Sequence, residues 1–256
     1  MRPTHRNFVP FGQSARAPAV PVARIQQDGH AGPSRAPRGH NIRSIMILIR
    51  ATPELNIPQP TPTMHAPLAN GLSKSELRRA LLAMRQALAT DTGRHQRAQA
   101  QLGTELRAVL EQRAPACVGF YWPMAAEFDA RGVVSAWLDG QPSRRAALPV
   151  IEGEAAPLAF HAWRPDSPMQ AGHYGIPVPA ATLAVMPDLL LVPCLGFDAA
   201  RLRLGYGGGY YDRTLAAFAQ RPYTVGVAFA CGRVDALPRE PHDIPLDLIV
   251  TDAGQV

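Results

Sequence analysis

Beyond residue 72 the apolar positions follow two rhythms, and the changes of rhythm mark the elements. Leu77, Leu81, Met84 and Leu88 recur at helical spacing behind Ser73-Lys-Ser-Glu76, a capping-box start, and predict a first helix. A second helix is expected over 94–113, and further helices over 131–138 and 210–218. Apolar or alternating runs predict strands over 116–121, 145–150, 158–163, 188–193, 223–229 and 246–251. Strands interleaved with helices predict an α/β fold: a three-layer domain with a largely parallel sheet flanked by helices, Rossmann-like in layout. Ligands of such sheets bind at the carboxyl ends of the strands, where the turn after 188–193 is expected to fall.

Composition divides the chain at about residue 70. Residues 1–70 hold eight arginines, no lysine, eleven prolines and only Asp28 and Glu54 as acids, whereas 71–256 carry eighteen basic and eighteen acidic side chains. The net charge of +6 therefore belongs to the first segment. A Pro/Arg-rich stretch without periodicity cannot bury enough apolar surface to fold, so 1–70 is expected to be a disordered extension and 71–256 the folded domain. The basic pI alone suggests nucleic acid, but the balanced folded part argues against a specific nucleic-acid partner. The apolar run Ile45–Ile49 is far too short to span a membrane. An Arg-rich, acid-poor start also suits an organelle transit peptide, and Met46 and Met64 are alternative starts ahead of the domain. Cys117, Cys194 and Cys231 lie far apart in apolar segments with no disulfide or metal spacing, which fits a reducing cytoplasm. Cys194 has no His or Asn context that would make it a nucleophile. A monomer is expected.

The candidate chemistry collects in one stretch, where the apolar run 189–193 leads through Phe197 and Asp198 to Arg203-Leu-Gly-Tyr-Gly-Gly-Gly-Tyr-Tyr-Asp-Arg213. Gly207, Gly208 and Gly209 expose backbone N–H groups that can curl around an anion, and Asp212 could hold a divalent cation beside it. The stretch fits neither the Walker loop nor the dinucleotide fingerprint, because the residue five beyond Gly205 is Tyr210. On the residues alone a glycine-rich turn stays equally open. Lys74 and Arg78 share one helix face, in a first turn whose dipole disfavours cations unless an anion sits nearby. By themselves they read as well as two solvated bases. Glu127 is by default a surface acid, Tyr121, Trp122 and Tyr174 are ordinary aromatic residues, and nothing local pairs Asp212 with Asp243.

Taken together, these motifs resemble one family. Pro193-x-x-x-Phe197-Asp198 followed by Arg203-Leu-Gly-x-Gly-x-Gly-Tyr-Tyr-Asp212 is similar to the signature of the 5-formyltetrahydrofolate cyclo-ligases, also called 5,10-methenyltetrahydrofolate synthetases. Lys74-x-x-x-Arg78, Tyr121-x-Pro-x-x-x-Glu127, Gly175-Ile-Pro177 and the closing Asp243-Ile-Pro-Leu-Asp247 agree in order, so the resemblance covers about 73–252. It implies an ATP-dependent cyclisation of 5-formyltetrahydrofolate to 5,10-methenyltetrahydrofolate, with release of ADP and phosphate. It further implies Lys74, Arg78 and Arg203 as catalytic and ATP-binding residues, and Leu204, Gly205, Tyr206, Gly207, Gly208, Gly209, Tyr210 and Tyr211 as the rest of the ATP loop. Trp122, Glu127, Tyr174 and Tyr210 would bind the folate, and Asp212 and Asp243 would ligate Mg²⁺. Many members carry a basic residue where this chain has Tyr206 or Gly208, and an acid where it has Val178. The loop is therefore expected to lean on Lys74, Arg78, Arg203 and the metal. A phosphorylated-sugar isomerase or transferase would explain the glycines but not Lys74, Arg78 or the Tyr-Tyr-Asp run. A nucleic-acid or folate-binding module without catalysis would explain the arginine-rich start.

Overall fold

The computed structural model describes residues 71–256, so the extension expected over 1–70 lies outside the described residues. Helix α1 (Lys74–Thr90) starts on the expected capping box: the Ser73 hydroxyl accepts from the Glu76 amide, and the Glu76 carboxylate accepts from the Ser73 amide at 2.9 Å. Asp91 ends it and caps α2 (Thr92–Arg113) by accepting from the Arg94 amide. There follow β1 (Cys117–Gly119), α3 (Arg131–Asp139), β2 (Arg145–Val150) and β3 (Ala159–Trp163). A small hairpin of β4 (Met169–Ala171) and β5 (Pro177–Pro179) leads to β6 (Leu189–Pro193). A second, β7 (Gly196–Phe197) with β8 (Arg203–Leu204), leads to α4 (Tyr210–Ala217). The chain closes with β9 (Tyr223–Val227), β10 (Leu248–Thr251) and β11 (Gly254–Gln255).

Seven of these strands form one sheet in the order β11-β10-β9-β6-β1-β2-β3. The inner five run parallel, and both edges are closed by antiparallel strands, β3 on β2 and β11 on β10. A largely parallel sheet must bury both faces, and β6 shows it. Leu189 and Leu191 face the core under α2 and α3, packed with Leu102, Leu106 and Trp137. Leu190 and Val192 face the opposite core, with Phe160, Leu215 of α4 and Ile249. The amino edge is pinned by two acids. Asp188 accepts from the Ala116 and Cys117 amides, and Asp247 from the Thr224 amide and hydroxyl. Asp247 is thus structural.

A third, smaller core lies at the carboxyl edge, where Leu77 and Leu81 of α1 pack on Leu195, Leu202, Leu204 and Val234. It seats α1 against the two-stranded β7–β8 turn. The expected stripe of α1 is altered at one position: Arg85, not Met84, takes the buried place between Leu81 and Leu88.

Candidate active site

The carboxyl ends of the parallel strands open into a cavity of about 400 Å³. Tyr121, Pro149 and Pro193, at or just past the ends of β1, β2 and β6, line its strand side. All the expected site residues line it too: Lys74, Arg78, Trp122, Glu127, Tyr174, Arg203, the run 204–211, Asp212 and Asp243. A cavity of this size suits a drug-sized or cofactor-sized ligand.

The glycine turn is built upward from the β7–β8 pair. Asp198, buried in the tip of that pair, accepts from the amides of Ala200, Leu202 and Leu237, so this acid braces the turn and is no ligand. Beyond β8, Gly207 (φ +97°) and Gly209 (φ +64°) take left-handed conformations that deliver the chain into α4. The orphan amides at the start of α4 and the positive end of its dipole then face the cavity rim.

Cations bracket this turn more closely than the sequence suggested. Arg78 Nε donates to the Gly205 carbonyl at 2.9 Å, and its guanidinium lies where a Cβ on Gly207 would come within 3.3 Å. Arg213 donates to the Gly208 carbonyl at 2.7 Å and stacks over the Tyr210 ring. Arg85 donates to the Tyr206 hydroxyl. Lys74, Arg78 and Arg203 line the cavity, while Arg85 and Arg213 hold the loop without lining it. Both were overlooked, Arg85 because it sits inside an apolar stripe and Arg213 because it follows the last motif residue.

Two acid–base pairs also line the cavity. Arg203, 6 % exposed at its side chain, donates to Asp212 at 2.5 Å and to the Ile244 carbonyl at 2.9 Å. Lys74 bridges both carboxylate oxygens of Asp243, at 2.9 and 3.2 Å, and reaches Glu240 at 3.2 Å. Burial works against the Lys74 charge, yet its bonds to Asp243 and Glu240 hold the ammonium above its ordinary range. Burial likewise opposes ionisation of Asp243, but Lys74 and the Glu240 amide hold its carboxyl below the ordinary range. Glu240, His242 and Asp243 present donor atoms within 4.8 Å of one another; Asp212 is not in that group. Glu240 was not anticipated from the sequence.

Glu127 is not the surface acid its loop position suggests, being only 7 % exposed. Ala125 and Ala126 both take positive φ, and this turn folds Glu127 back so that its Oε2 accepts from the Met124 amide at 2.9 Å. Burial raises its carboxyl above the ordinary range, against the opposing pull of the Met124 amide and Arg85. Trp122 lines the cavity with Arg131 stacked on its face, and Tyr174, which lines it too, is largely exposed. Tyr121 is buried and spends its hydroxyl on the Phe128 carbonyl, so it supports the wall. Cys194 is buried away from the cavity lining, and burial pushes its thiol up to about 12.

An α/β sheet whose carboxyl edge combines a glycine turn, clustered guanidiniums and a buried acid has the means to hold an anionic ligand beside a second, polar one. The family model for 5-formyltetrahydrofolate cyclo-ligases matches residues 70–252. The 5-formyltetrahydrofolate cyclo-ligase of Haemophilus influenzae is 33 % identical over 151 residues, spanning 56 % of this chain and 79 % of that protein. The Mycolicibacterium smegmatis cyclo-ligase is 31 % identical over 189 residues, spanning 70 % and 93 %. The structure of Aquifex aeolicus 5,10-methenyltetrahydrofolate synthetase superposes with a TM-score of 0.61 at 29 % identity, covering 71 % of this chain and 91 % of that one. The chain belongs to the 5-formyltetrahydrofolate cyclo-ligase family, and is a ligase of folate one-carbon metabolism.

Proposed function

We propose that this chain closes 5-formyltetrahydrofolate to 5,10-methenyltetrahydrofolate at the expense of ATP, using the cavity at the carboxyl edge of its sheet. One observation carries the residue assignment: the glycine turn, Lys74, Arg78, Arg203, Asp212, Asp243 and Glu127, scattered over 170 residues of sequence, surround a single cavity of about 400 Å³.

The formyl oxygen is a poor leaving group. Transfer of the γ-phosphoryl onto it makes a good one, N10 of the folate then attacks the activated carbon and gives up its proton, and phosphate leaves carrying the former formyl oxygen. This sequence needs no protein nucleophile, so the protein's work is positioning and charge neutralisation. The glycine-turn amides and Arg78 hold the phosphates, Lys74 and Arg203 neutralise charge on the transferred group, and Glu127 accepts from the adjacent N–H donors of the pterin. Trp122, Tyr174 and Tyr210 give the ring its apolar walls.

The acids suit Mg²⁺, which favours one or two carboxylates together with water and phosphate oxygens. Asp243 and its neighbour Glu240 provide such oxygens, and Asp212 would join them by sharing its carboxylate with Arg203. When bound, the ion would neutralise phosphate charge.

The test follows the oxygen. Substrate labelled with ¹⁸O in the formyl group should pass the label to inorganic phosphate; label released as water would refute phosphorylation of that oxygen.

A further inference from the structure

Between the glycine turn and the pterin side of the cavity lies a buried group that the reaction above leaves unused. Arg85 projects from the apolar stripe of α1 and is 5 % exposed. It lies two helical turns beyond Arg78, on the same face. The two arginines therefore grip consecutive residues of the turn: Arg78 the carbonyl of Gly205, Arg85 the hydroxyl of Tyr206. Arg85 also faces Glu127, with Nη1 3.9 Å from Oε1. That carboxylate oxygen and Arg85 Nε are both buried with no hydrogen-bond partner among the described residues. Tyr206, 44 % exposed, spans the gap, its ring at the cavity and its hydroxyl on the buried guanidinium.

A buried guanidinium with an unused donor is costly unless its surroundings need it. Here it touches both halves of the site, Tyr206 of the turn and Glu127. Its pull on Glu127 favours the ionised acid that can accept from a pterin. Its bond to Tyr206 sets the height of the glycine turn. A turn that moved on binding phosphates would carry with it the Tyr206 hydroxyl and the guanidinium that faces Glu127. We infer that Arg85 is a positioning residue which, through Tyr206, couples the nucleotide loop to the Glu127 acid, so that ATP and folate raise each other's affinity. This inference rests on the function proposed above. By linkage the effect is reciprocal: each ligand tightens the other by the same factor.

The experiment measures 5-formyltetrahydrofolate affinity with and without a non-hydrolysable ATP analogue. In the parent chain the analogue is expected to tighten folate binding about fivefold or more, within the usual range of coupling between sites. In Tyr206→Phe the ratio of the two affinities should fall to near one, whatever their absolute values. In Arg85→Met the KM for folate should rise at least about tenfold, more than the KM for ATP, and Arg85→Lys should recover part of that loss. An arginine that merely supported the fold would lower the active fraction and leave the ratio of the two KM values alone. A Tyr206→Phe variant whose affinity ratio equals the parent's overturns the coupling. A parent chain that binds 5-formyltetrahydrofolate equally with and without the analogue does so too. A parent chain that binds no 5-formyltetrahydrofolate at all overturns both the inference and the function beneath it.

Discussion

Lys74 is the single lysine of a chain with twenty-five arginines. An ammonium is a compact point charge, whereas a guanidinium is a fixed planar fork. Where arginine is otherwise universal, that exception points to a site needing a small mobile cation. It also gives a clean handle. An amine-directed reagent should modify only Lys74 and the chain's α-amino group, and ATP should protect Lys74; peptide mapping reads both. The Lys74–Asp243 pair has a defined pH window. Lys74 is held above its ordinary value, so its contribution persists below that value and disappears only as pH rises through the raised one. Asp243 is held below its ordinary value, so its contribution is lost only as pH falls through the lowered one. Lys74→Met should therefore lower Tm by about 2–4 °C at neutral pH, for a loss of roughly 1 kcal/mol. The difference from the parent should close below the ordinary aspartate range. Asp212→Asn should stay folded, since it can still accept from Arg203, but lose Mg²⁺-ATP turnover; full activity would refute its assigned role. The individual residues of the site were legible unequally. Lys74, Glu127, Asp212 and Asp243 stand in spaced motifs, whereas Arg85 carries no motif. Its only signal is a cation at a core position of a helical stripe, which a hydrophobic pattern reads as a gap.

At the level of elements, the two local turns that shape the cavity are both conformationally costly. Gly207 needs its left-handed φ, and a Cβ there would press on the Arg78 guanidinium at 3.3 Å. Gly207→Ala should destabilise by roughly 1–2 kcal/mol and raise the KM for ATP more than that for folate. Ala125 and Ala126 carry a similar cost without a glycine. Ala126→Gly relieves about 1–2 kcal/mol of it, offset by about 0.4–1 kcal/mol of chain entropy. Tm should hold or rise slightly, while the loosened tether raises the KM for folate; a steady-state KM series with thermal melts checks both substitutions. The sequence announced the long elements because each carries enough apolar residues to show a period. The strand 189–193 and the helix 131–139 fall within a residue of expectation. The pairs β4–β5 and β7–β8 and the edge strand β11 were not foreseen, since strands of two or three residues have no period to read. The expected strand 116–121 shortens to Cys117–Gly119 in regular pairing, although Phe120 still donates to the Ala147 carbonyl. Pro187 and Leu190 crowd Gly119, which explains a glycine at the end of β1.

On the scale of the whole molecule, the fold does one thing for function: it gathers five separated segments at one edge of a parallel sheet. Helix α1 is the organiser, since Lys74, Arg78 and Arg85 project from it toward Asp243, Gly205 and Tyr206 in turn. Among the described residues no helix is long and apolar enough to cross a membrane. The charge asymmetry of the chain yields a separate prediction. Removal of residues 1–70 should leave turnover unchanged and abolish retention on a polyanion column, because those residues carry the net charge of +6. Loss of turnover on truncation would assign the segment a part in the site. The central claim is the reaction itself. Purified chain mixed with 5-formyltetrahydrofolate, ATP and Mg²⁺ should generate the methenyl chromophore at a rate that vanishes when ATP is omitted. No chromophore with all three present would contradict it.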